Sequence, residues 1–240
     1  DVLGSRGLGD VYKRQVMEQA RELIACTGYD EVSLFSLSSG DYSEIHTLVP
    51  EIMDEFEKKR VSISFPSLRI DAFMKDDLER MQSVRKAGLT FAPEAGTQRL
   101  RDVINKGVQE EDLLRSAQDA FEAGWNSVKL YFMIGLPTET EEDLLGIADL
   151  ARKVSALFYS MPKEKRGKGL RLSVSASSFV PKPFTPFQWE PQDTKETLME
   201  KQKFLRAAMK GIRGAEFSYH APDVSVLEAV SYTHLTLPTI

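Results

Sequence analysis

The chain has 240 residues, of which 42% are hydrophobic and 28% are charged, and its formal net charge is −5. That length can bury a full domain core, and the composition is typical of soluble globular proteins. The acidic balance disfavours nucleic acid as a partner, because phosphate contacts need a basic surface. No apolar run approaches the ~18–20 residues that span a membrane. A single cysteine excludes a disulfide framework and a multi-cysteine metal site, so we expect no metal ligands and a cytoplasmic location.

The two ends of the chain differ in pattern from the rest. Residues 1–15 have no sustained helical or strand period, and residues 231–240 (SYTHLTLPTI) break the pattern that ends near Val230. The tail looks like translated adapter sequence from assembled metagenomic reads, with a natural flexible tail as the alternative. We therefore expect 1–15 to be non-native or disordered, 16–230 to be the folded domain, and 231–240 to be a non-native tail.

From residue 16 onward the pattern of apolar residues becomes regular. Helical spacing, supported by terminal glycines and acidic first turns, predicts helices over 16–26, 42–59, 76–87, 109–123, 139–157 and 194–212. Runs of β-branched and apolar residues predict strands over 31–37, 61–65, 89–92, 127–134, 170–179 and 216–219. Strands and helices therefore alternate along the chain.

This alternation predicts an α/β fold with a parallel sheet covered by helices. Two arrangements fit the pattern, an open doubly wound sheet or a barrel, and periodicity alone does not separate them. In both arrangements ligands bind at the C-terminal ends of the strands. The residues that follow each strand are therefore the candidates for function.

Small, turn-forming or charged residues follow the predicted strands. The segments are SSGD (38–41), PSLRID (66–71), PEAGT (93–97), GLPTE (135–139) and VPKP (180–183). Each segment alone is explained by turn chemistry or by a helix cap, which Ser39 or Thr138 would supply. The series is harder to explain in that way, since every one of these strand ends presents such groups at the same edge.

These motifs resemble those of the radical S-adenosylmethionine (SAM) enzymes. The string APEAGTQRLRDVINKG, followed by a helix and then VKLYFMIGLPTETEEDL, resembles the body of a radical SAM domain. The strings SLSSGDYSEI and FVPKPFTPFQW resemble the radical SAM proteins that carry a cobalamin-binding domain upstream. The resemblance covers roughly residues 16–230. It implies a partial parallel (β/α)6 TIM-like barrel that is truncated at its N-terminal strand.

The resemblance also implies a chemistry for which this chain lacks the ligands. The family holds a 4Fe–4S cluster with cysteines spaced CxxxCxxC, and SAM binds the remaining iron. Cys26 is the only cysteine here, and its place in a helix among apolar residues predicts a buried core side chain. The motif would lie upstream of Val16. We therefore expect an inactive fragment of a parent enzyme that also uses an electron donor and, through a missing upstream domain, cobalamin.

Two strand ends would bind the amino acid part of SAM if the resemblance holds. The first strand present corresponds to the second strand of the family barrel, and its end would receive the SAM ammonium with Ser38, Ser39, Gly40 and Asp41. The match is loose, because the family motif resembles GGE and this sequence is SSGD. Arg69, after the next strand, would pair with the SAM carboxylate, and a surface ion pair with a nearby acid is the alternative.

The next two strand ends would bind the nucleoside part. Glu94 and Thr97 lie where the family contacts the ribose, and a carboxylate can accept from both ribose hydroxyls. Gly135 and Pro137 lie where the family places backbone against adenine. Glu139 is expected to stabilise the first turn of a helix and not to take part in catalysis.

Two further features remain open on sequence grounds. Lys129 and Tyr131 interrupt an apolar strand and should point the same way, with Glu94 as a candidate partner for a buried Lys129. A lysine that reaches solvent at the sheet edge is the alternative. The aromatic segment 181–189 would either cover the substrate or strap over the end of the barrel.

The resemblance implies that the chain is part of an enzyme that binds SAM and, with its cluster, generates a radical or transfers a methyl group to an unknown substrate. One alternative is a conventional (β/α) barrel lyase or aldolase. It needs a catalytic lysine or metal ligands at strand ends, whereas Lys129 is mid-strand and His46 falls in a helix. The other is a non-catalytic interaction domain, which would leave the series at the strand ends unexplained.

Overall fold

The computed structural model of the protein describes residues 12–34, 42–64, 89–166 and 169–234. The chain divides into two compact units, Asp1–Ala87 and Gly88–Ile240. The described strands form one parallel sheet in each unit.

The first unit combines helices with a short two-stranded sheet. Its described elements are α1 (Lys13–Thr27), β1 (Glu31–Ser33), α2 (Ile45–Glu57) and β2 (Ser62–Ser64). Val32 lies opposite Ile63 in the sheet. Met17 and Ala20 of α1 form one buried cluster with apolar residues of α2, among them Phe56. The predicted order of these elements is confirmed, and α1 begins within the segment that was predicted to be non-native.

Cys26 lies in the last turn of α1 and is exposed, so the predicted buried core position was wrong. The apolar side of α1 runs through Met17, Ala20 and Ile24. A residue two places after Ile24 is turned about 200° around the helix axis and points away from that side. The apolar residues next to Cys26 in sequence did not indicate burial of Cys26, because consecutive residues of a helix point in different directions.

The second unit contains a four-stranded parallel sheet in the order β3–β4–β5–β6. Its elements are β3 (Leu89–Glu94), α3 (Gln98–Val103), α4 (Glu110–Glu122), β4 (Ser127–Ile134), α5 (Glu141–Ser160), a 3₁₀ turn (Lys163–Lys165), β5 (Arg171–Ser178), α6 (Lys195–Ala208), β6 (Ala215–Tyr219) and α7 (Pro222–His234). The predicted elements of this region are confirmed with shifts at their ends, but α3 and α7 were not predicted. The helix predicted over 76–87 lies outside the described residues. None of the helices in the described ranges is both long and apolar enough to cross a membrane.

The four-stranded sheet has one apolar face and one polar face. In β4, Leu130 and Phe132 are buried, whereas Tyr131 between them is exposed. Helix α5 contacts β5, and α4 packs on α5 through Phe121 and Phe158, whose ring centroids are 5.2 Å apart. Burial of the apolar face under helices is the arrangement that the alternation of elements predicted.

The loop after β3 lies against α5 with no room for a side chain. A Cβ added to Gly96 would lie 2.8 Å from the carbonyl carbon of Gly146, and a Cβ added to Gly146 would lie 2.8 Å from the carbonyl oxygen of Gly96. Both neighbours are backbone atoms, which cannot rotate out of the way. The two glycines therefore allow a direct backbone contact between this loop and α5.

We expect Gly96→Ala to lower the free energy of unfolding by about 3 kcal/mol, because the added methyl group overlaps backbone of α5. Urea denaturation measures the change. Gly107→Ala is the matched control, since a Cβ there meets no atom within 4 Å, and its effect should stay within about 0.5 kcal/mol. Equal effects of the two substitutions would contradict the proposed contact.

Candidate functional site

The loops after β3, β4 and β5 meet at the C-terminal edge of the four-stranded sheet. Glu94 ends β3, and Gly135 directly follows β4. A small apolar core holds these loops and α3 together and consists of Ala95, Leu100, Leu136 and Phe179. The predicted gathering of strand ends at one edge is therefore confirmed for these three strands.

Glu94 combines an unusual backbone with an accessible carboxylate. Its φ of 67° lies in the left-handed region, which costs a non-glycine residue about 1–2 kcal/mol. Its Oε1 lies 3.3 Å from Nζ of Lys106, and 26% of its side chain is exposed. Its second carboxylate oxygen forms no hydrogen bond within the described part of the chain. Strained backbone of this kind is common where a protein holds a ligand.

Thr97 is engaged in local structure. It is the N-cap of α3, where its oxygen accepts the N–H of Leu100 at 3.3 Å. Its hydroxyl also donates to the carboxylate of Asp143. The sequence predicted a ribose contact for Thr97, and the structure shows that its hydroxyl already has partners on both sides.

Asp143 joins the loop after β3 to the start of α5. Its side chain is 2% exposed, and it accepts hydrogen bonds from the side chains of Thr97 and Arg99. The backbone N–H and the hydroxyl of Thr140 also donate to it, each at 2.8 Å. Desolvation raises the pKa of Asp143, but the donors from Thr97, Thr140 and Arg99 lower it more, so the pKa lies below its ordinary value of 3.8.

Gly135 is bound by the carboxylate of Glu139 and closely approached by that of Asp193. Its φ of 78° suits glycine, and its N–H donates to both oxygens of Glu139 at 2.9 and 3.0 Å. A Cβ at this position would lie 2.8 Å from Oδ2 of Asp193, so glycine is needed for this approach. Pro137 follows in the same loop and is partly exposed. Gly135 and Pro137 both lie at the edge of the site. Glycine at position 135 is also required by the positive φ and by the close approach of Asp193.

Glu139 precedes α5, so the predicted role in the first helical turn was wrong. Its side chain is 2% exposed and lies 2.7 Å from Nζ of Lys201, which also lies 2.7 Å from Asp193. Burial raises the pKa of Glu139 above its ordinary value, although Lys201 and the Gly135 N–H partly oppose the shift. Burial lowers the pKa of Lys201, but its two carboxylate partners raise it more, and the net pKa is raised. The three side chains form a charged cluster that connects the loop after β4 to α6.

Lys129 does not pair with Glu94, so that predicted partner was wrong. Glu94 contacts Lys106 instead. Nζ of Lys129 lies 4.5 Å from the ring centroid of Tyr131, as a cation–π contact. Lys129 and Tyr131 therefore share one face of β4, as the alternation predicted.

The aromatic segment after β5 is partly anchored and partly exposed. Phe187 packs against Phe179 with ring centroids 6.3 Å apart, and the amide of Gln192 donates to the carbonyl of Phe179 at 3.0 Å. Phe184 and Trp189 are 99% and 88% exposed. The segment is therefore fixed to the strand end while two aromatic rings face outward.

The predicted contacts to the amino acid part of SAM lie outside the described residues. This applies to Ser38, Ser39, Gly40 and Asp41 and also to Arg69, whose roles stay predictions. Within the described ranges no cluster of His, Cys, Asp and Glu could hold a metal ion.

Sequence reasoning missed Asp143, Lys201 and Asp193. A signal for Asp143 was present, because Thr140 and Asp143 form a capping box of the pattern Thr-x-x-Asp. No local pattern marks Lys201 or Asp193, since they meet Glu139 only through the fold.

The parallel sheets, the covering helices and the strand ends that gather at one edge define an α/β protein. The Radical SAM superfamily matches residues 5–151, and the chain belongs to this superfamily. The match starts within the segment predicted to be non-native. The prediction about the two ends of the chain stays a prediction.

A curated protein is similar to most of this chain. The uncharacterized protein MJ0966 of Methanocaldococcus jannaschii is 36% identical over 200 residues, which cover 82% of this chain and 40% of that protein. The chain thus spans less than half the length of this curated relative.

Solved structures show the same fold at low sequence identity. Streptococcus suis SuiB, bound to the precursor peptide SuiA, has a TM-score of 0.57 and 10% identity, over 92% of this chain and 45% of that one. Methanocaldococcus infernus Elp3 with an N-terminal deletion has a TM-score of 0.50 and 12% identity, over 95% of this chain and 64% of that one. These likenesses support a partial radical SAM barrel.

We expect Asp143→Asn to lower the free energy of unfolding by about 2–3 kcal/mol near neutral pH, because charged hydrogen bonds to Arg99 and its neighbours are lost. The folded pKa of Asp143 is depressed, so the difference from wild type should hold above about pH 4 and shrink as pH falls further. Urea denaturation across this range measures it. The control is Asp149→Asn, whose side chain is 52% exposed, with an expected effect within about 0.5 kcal/mol.

We expect Lys201→Met to cost about 3–5 kcal/mol at pH 8, because it leaves the buried Glu139 carboxylate without its cation. The loss should shrink as pH falls, because the raised pKa of Glu139 lets it take up a proton at a higher pH than an ordinary glutamate does. Adding Glu139→Gln should recover part of the loss, which a double-mutant cycle measures. Lys203→Met, on the exposed side of α6, is the control. An additive cycle would show that the two side chains do not interact.

Proposed function

We propose that this chain is the SAM-binding part of a radical SAM enzyme that acts on a substrate still to be found. Membership of the superfamily supports the general activity. The observation that carries the proposal is Glu94, a partly exposed carboxylate held in left-handed backbone at the end of β3. It stands at the strand edge where ligands of parallel α/β proteins bind.

The described residues fit the nucleoside part of SAM. Glu94 keeps one carboxylate oxygen without a hydrogen bond in the described part of the chain, and this oxygen can accept from ribose hydroxyls. Gly135 and Pro137 supply backbone for the adenine at the adjacent strand end. We assign Thr97 a supporting part, because its hydroxyl binds Asp143 and orients the loop that carries Glu94.

The residues of this chain do not fit the iron–sulfur cluster. Such a cluster needs several thiolates, and the sequence has one cysteine, Cys26, which is exposed in the last turn of α1. We therefore propose that the cluster ligands belong to sequence outside these 240 residues and that the chain alone is inactive. A CxxxCxxC motif upstream of Val16 in the gene would support this, and an intact gene without it would contradict it.

When bound with its cluster, SAM would supply radical chemistry or, in proteins that also bind cobalamin, methyl transfer. The contribution of this chain is to bind and orient the nucleoside and to keep the site edge rigid. Glu94 would receive the ribose, and the Glu139–Lys201–Asp193 cluster would hold the Gly135 loop in place. The use of cobalamin rests on the resemblance of the SSGD and VPKPFTPFQW segments alone.

We expect this chain to bind S-adenosylhomocysteine, which keeps the nucleoside and amino acid parts of SAM. Glu94→Gln should weaken binding about tenfold, because loss of a charge-assisted hydrogen bond is worth about 1.4 kcal/mol. Isothermal titration calorimetry measures the affinity. Glu200→Gln, on the exposed side of α6, is the control and should bind like wild type. Failure of the wild-type chain to bind, or equal binding by Glu94→Gln, would refute this site.

A further inference from the structure

The polar face of the four-stranded sheet is not used by the site described above. Strand register brings polar side chains of neighbouring strands into rows across this face. One row consists of Thr90, Lys129, Ser173 and Glu216, and the next consists of Tyr131, Ser175 and Ser218. Every strand of the sheet thus contributes a hydroxyl or a charged group.

Lys129 is the one cation in these rows, and no carboxylate of the described residues balances its charge. No carboxylate of the described residues lies within 4.0 Å of its Nζ. The Nζ atom instead lies 4.5 Å from the centroid of the Tyr131 ring. Glu94 is occupied by Lys106. Glu216 stands two strands away, about 10 Å across the sheet, and is exposed. A half-buried ammonium has three donors, and an aromatic ring leaves most of that capacity unfilled.

The serine hydroxyls beside Lys129 form no hydrogen bond within the part of the chain that the structure describes. Ser175 is only 7% exposed, yet its hydroxyl forms no hydrogen bond with any of the described residues. The hydroxyls of Ser173 and Ser218 form none there either. Ser175 is therefore a largely buried residue whose hydroxyl has no hydrogen bond among the described residues, close to a cation that no described carboxylate balances. Such a combination suits an anion that a ligand would bring.

We propose that this face binds an oxyanionic group, a carboxylate or a phosphate, of a small-molecule substrate. The Lys129 ammonium supplies the positive charge, and Ser175 donates a hydrogen bond from its buried position. Ser173 lies two residues before Ser175 on β5, and Ser218 lies opposite Ser175 on β6. Lys129 stands about 20 Å before Gly135 along the direction of β4, so this anion site is distinct from the nucleoside site. The assignment of the anion to a substrate rests on the proposed function.

The test is a titration of the full chain with inorganic phosphate and, separately, with succinate, followed by the amide chemical shifts of β4 and β5. We expect saturable shifts around Lys129 and Ser175 with at least one of the two anions, and the stronger binder identifies the phosphate or the carboxylate. Lys129→Met should weaken that binding at least tenfold, Lys129→Arg should retain it, and Ser175→Ala should weaken it severalfold. Lys203→Met is the matched control and should bind like wild type.

The outcomes separate this inference from the proposed function. Loss of anion binding in Lys129→Met with unchanged binding of S-adenosylhomocysteine supports the inference. Anion binding that depends on Lys129 in a chain that does not bind S-adenosylhomocysteine supports the anion site and refutes the proposed function. Unchanged anion binding in both Lys129→Met and Ser175→Ala, or no saturable shifts in the wild type, overturns the inference. Weaker binding of S-adenosylhomocysteine to Lys129→Met overturns it as well, since Lys129 would then serve SAM.

Discussion

Two buried carboxylates near the start of α5, those of Glu139 and Asp143, determine the shape of the candidate site through the donors that each of them binds. Asp143 accepts a hydrogen bond from the hydroxyl of Thr97 in the loop after β3. Glu139 accepts hydrogen bonds from the N–H of Gly135 and the ammonium of Lys201. A carboxylate removed from water must be matched by donors, because an unpaired charge in the interior is very costly. Each carboxylate therefore fixes the position of its donors, and through them the loops at two strand ends.

Backbone contact adds to this electrostatic constraint. Gly96 lies directly against Gly146 of α5, so the loop that carries Glu94 is held by close packing on one side and by Asp143 on the other. The positive φ of Glu94 is tolerable only because its surroundings are fixed in this way. The result is a carboxylate that is rigidly placed and still partly open to solvent. A site that must hold a nucleoside in one orientation needs this combination, since a mobile group would lose affinity to ordering.

The sequence predicts the parts of this structure that depend on local periodicity. Strand β4 and helices α4 and α5 follow from the spacing of apolar residues and from acidic first turns. The edge at which Glu94 and Gly135 gather follows from the parallel order of the strands. Helix α3 was missed because it is only six residues long, which is too short for a helical period to be recognised.

The partners of the site residues could not be predicted in the same way. Lys201 meets Glu139 across 62 positions of sequence, and no local pattern encodes such a pairing. Glu94 was matched with Lys129 on the strength of strand order alone, whereas α3 brings the nearer Lys106 to it. The resemblance to a family pointed to the strand ends at which Glu94 and Gly135 gather but said nothing of the charges behind them. Those charges depend on which helices return to that edge.

The two faces of the sheet would let one strand serve the core and the proposed anion site together. The buried side chains of β4, such as Leu130 and Phe132, hold the sheet to its helices, and their removal would cost the core directly. Lys129 and Tyr131 alternate with them and carry no part of that packing. The polar face is therefore free to vary with the ligand while the apolar face maintains the fold. In a superfamily of common fold and different substrates, substrate preference would then reside on the polar face, and the strand ends would keep the shared cofactor.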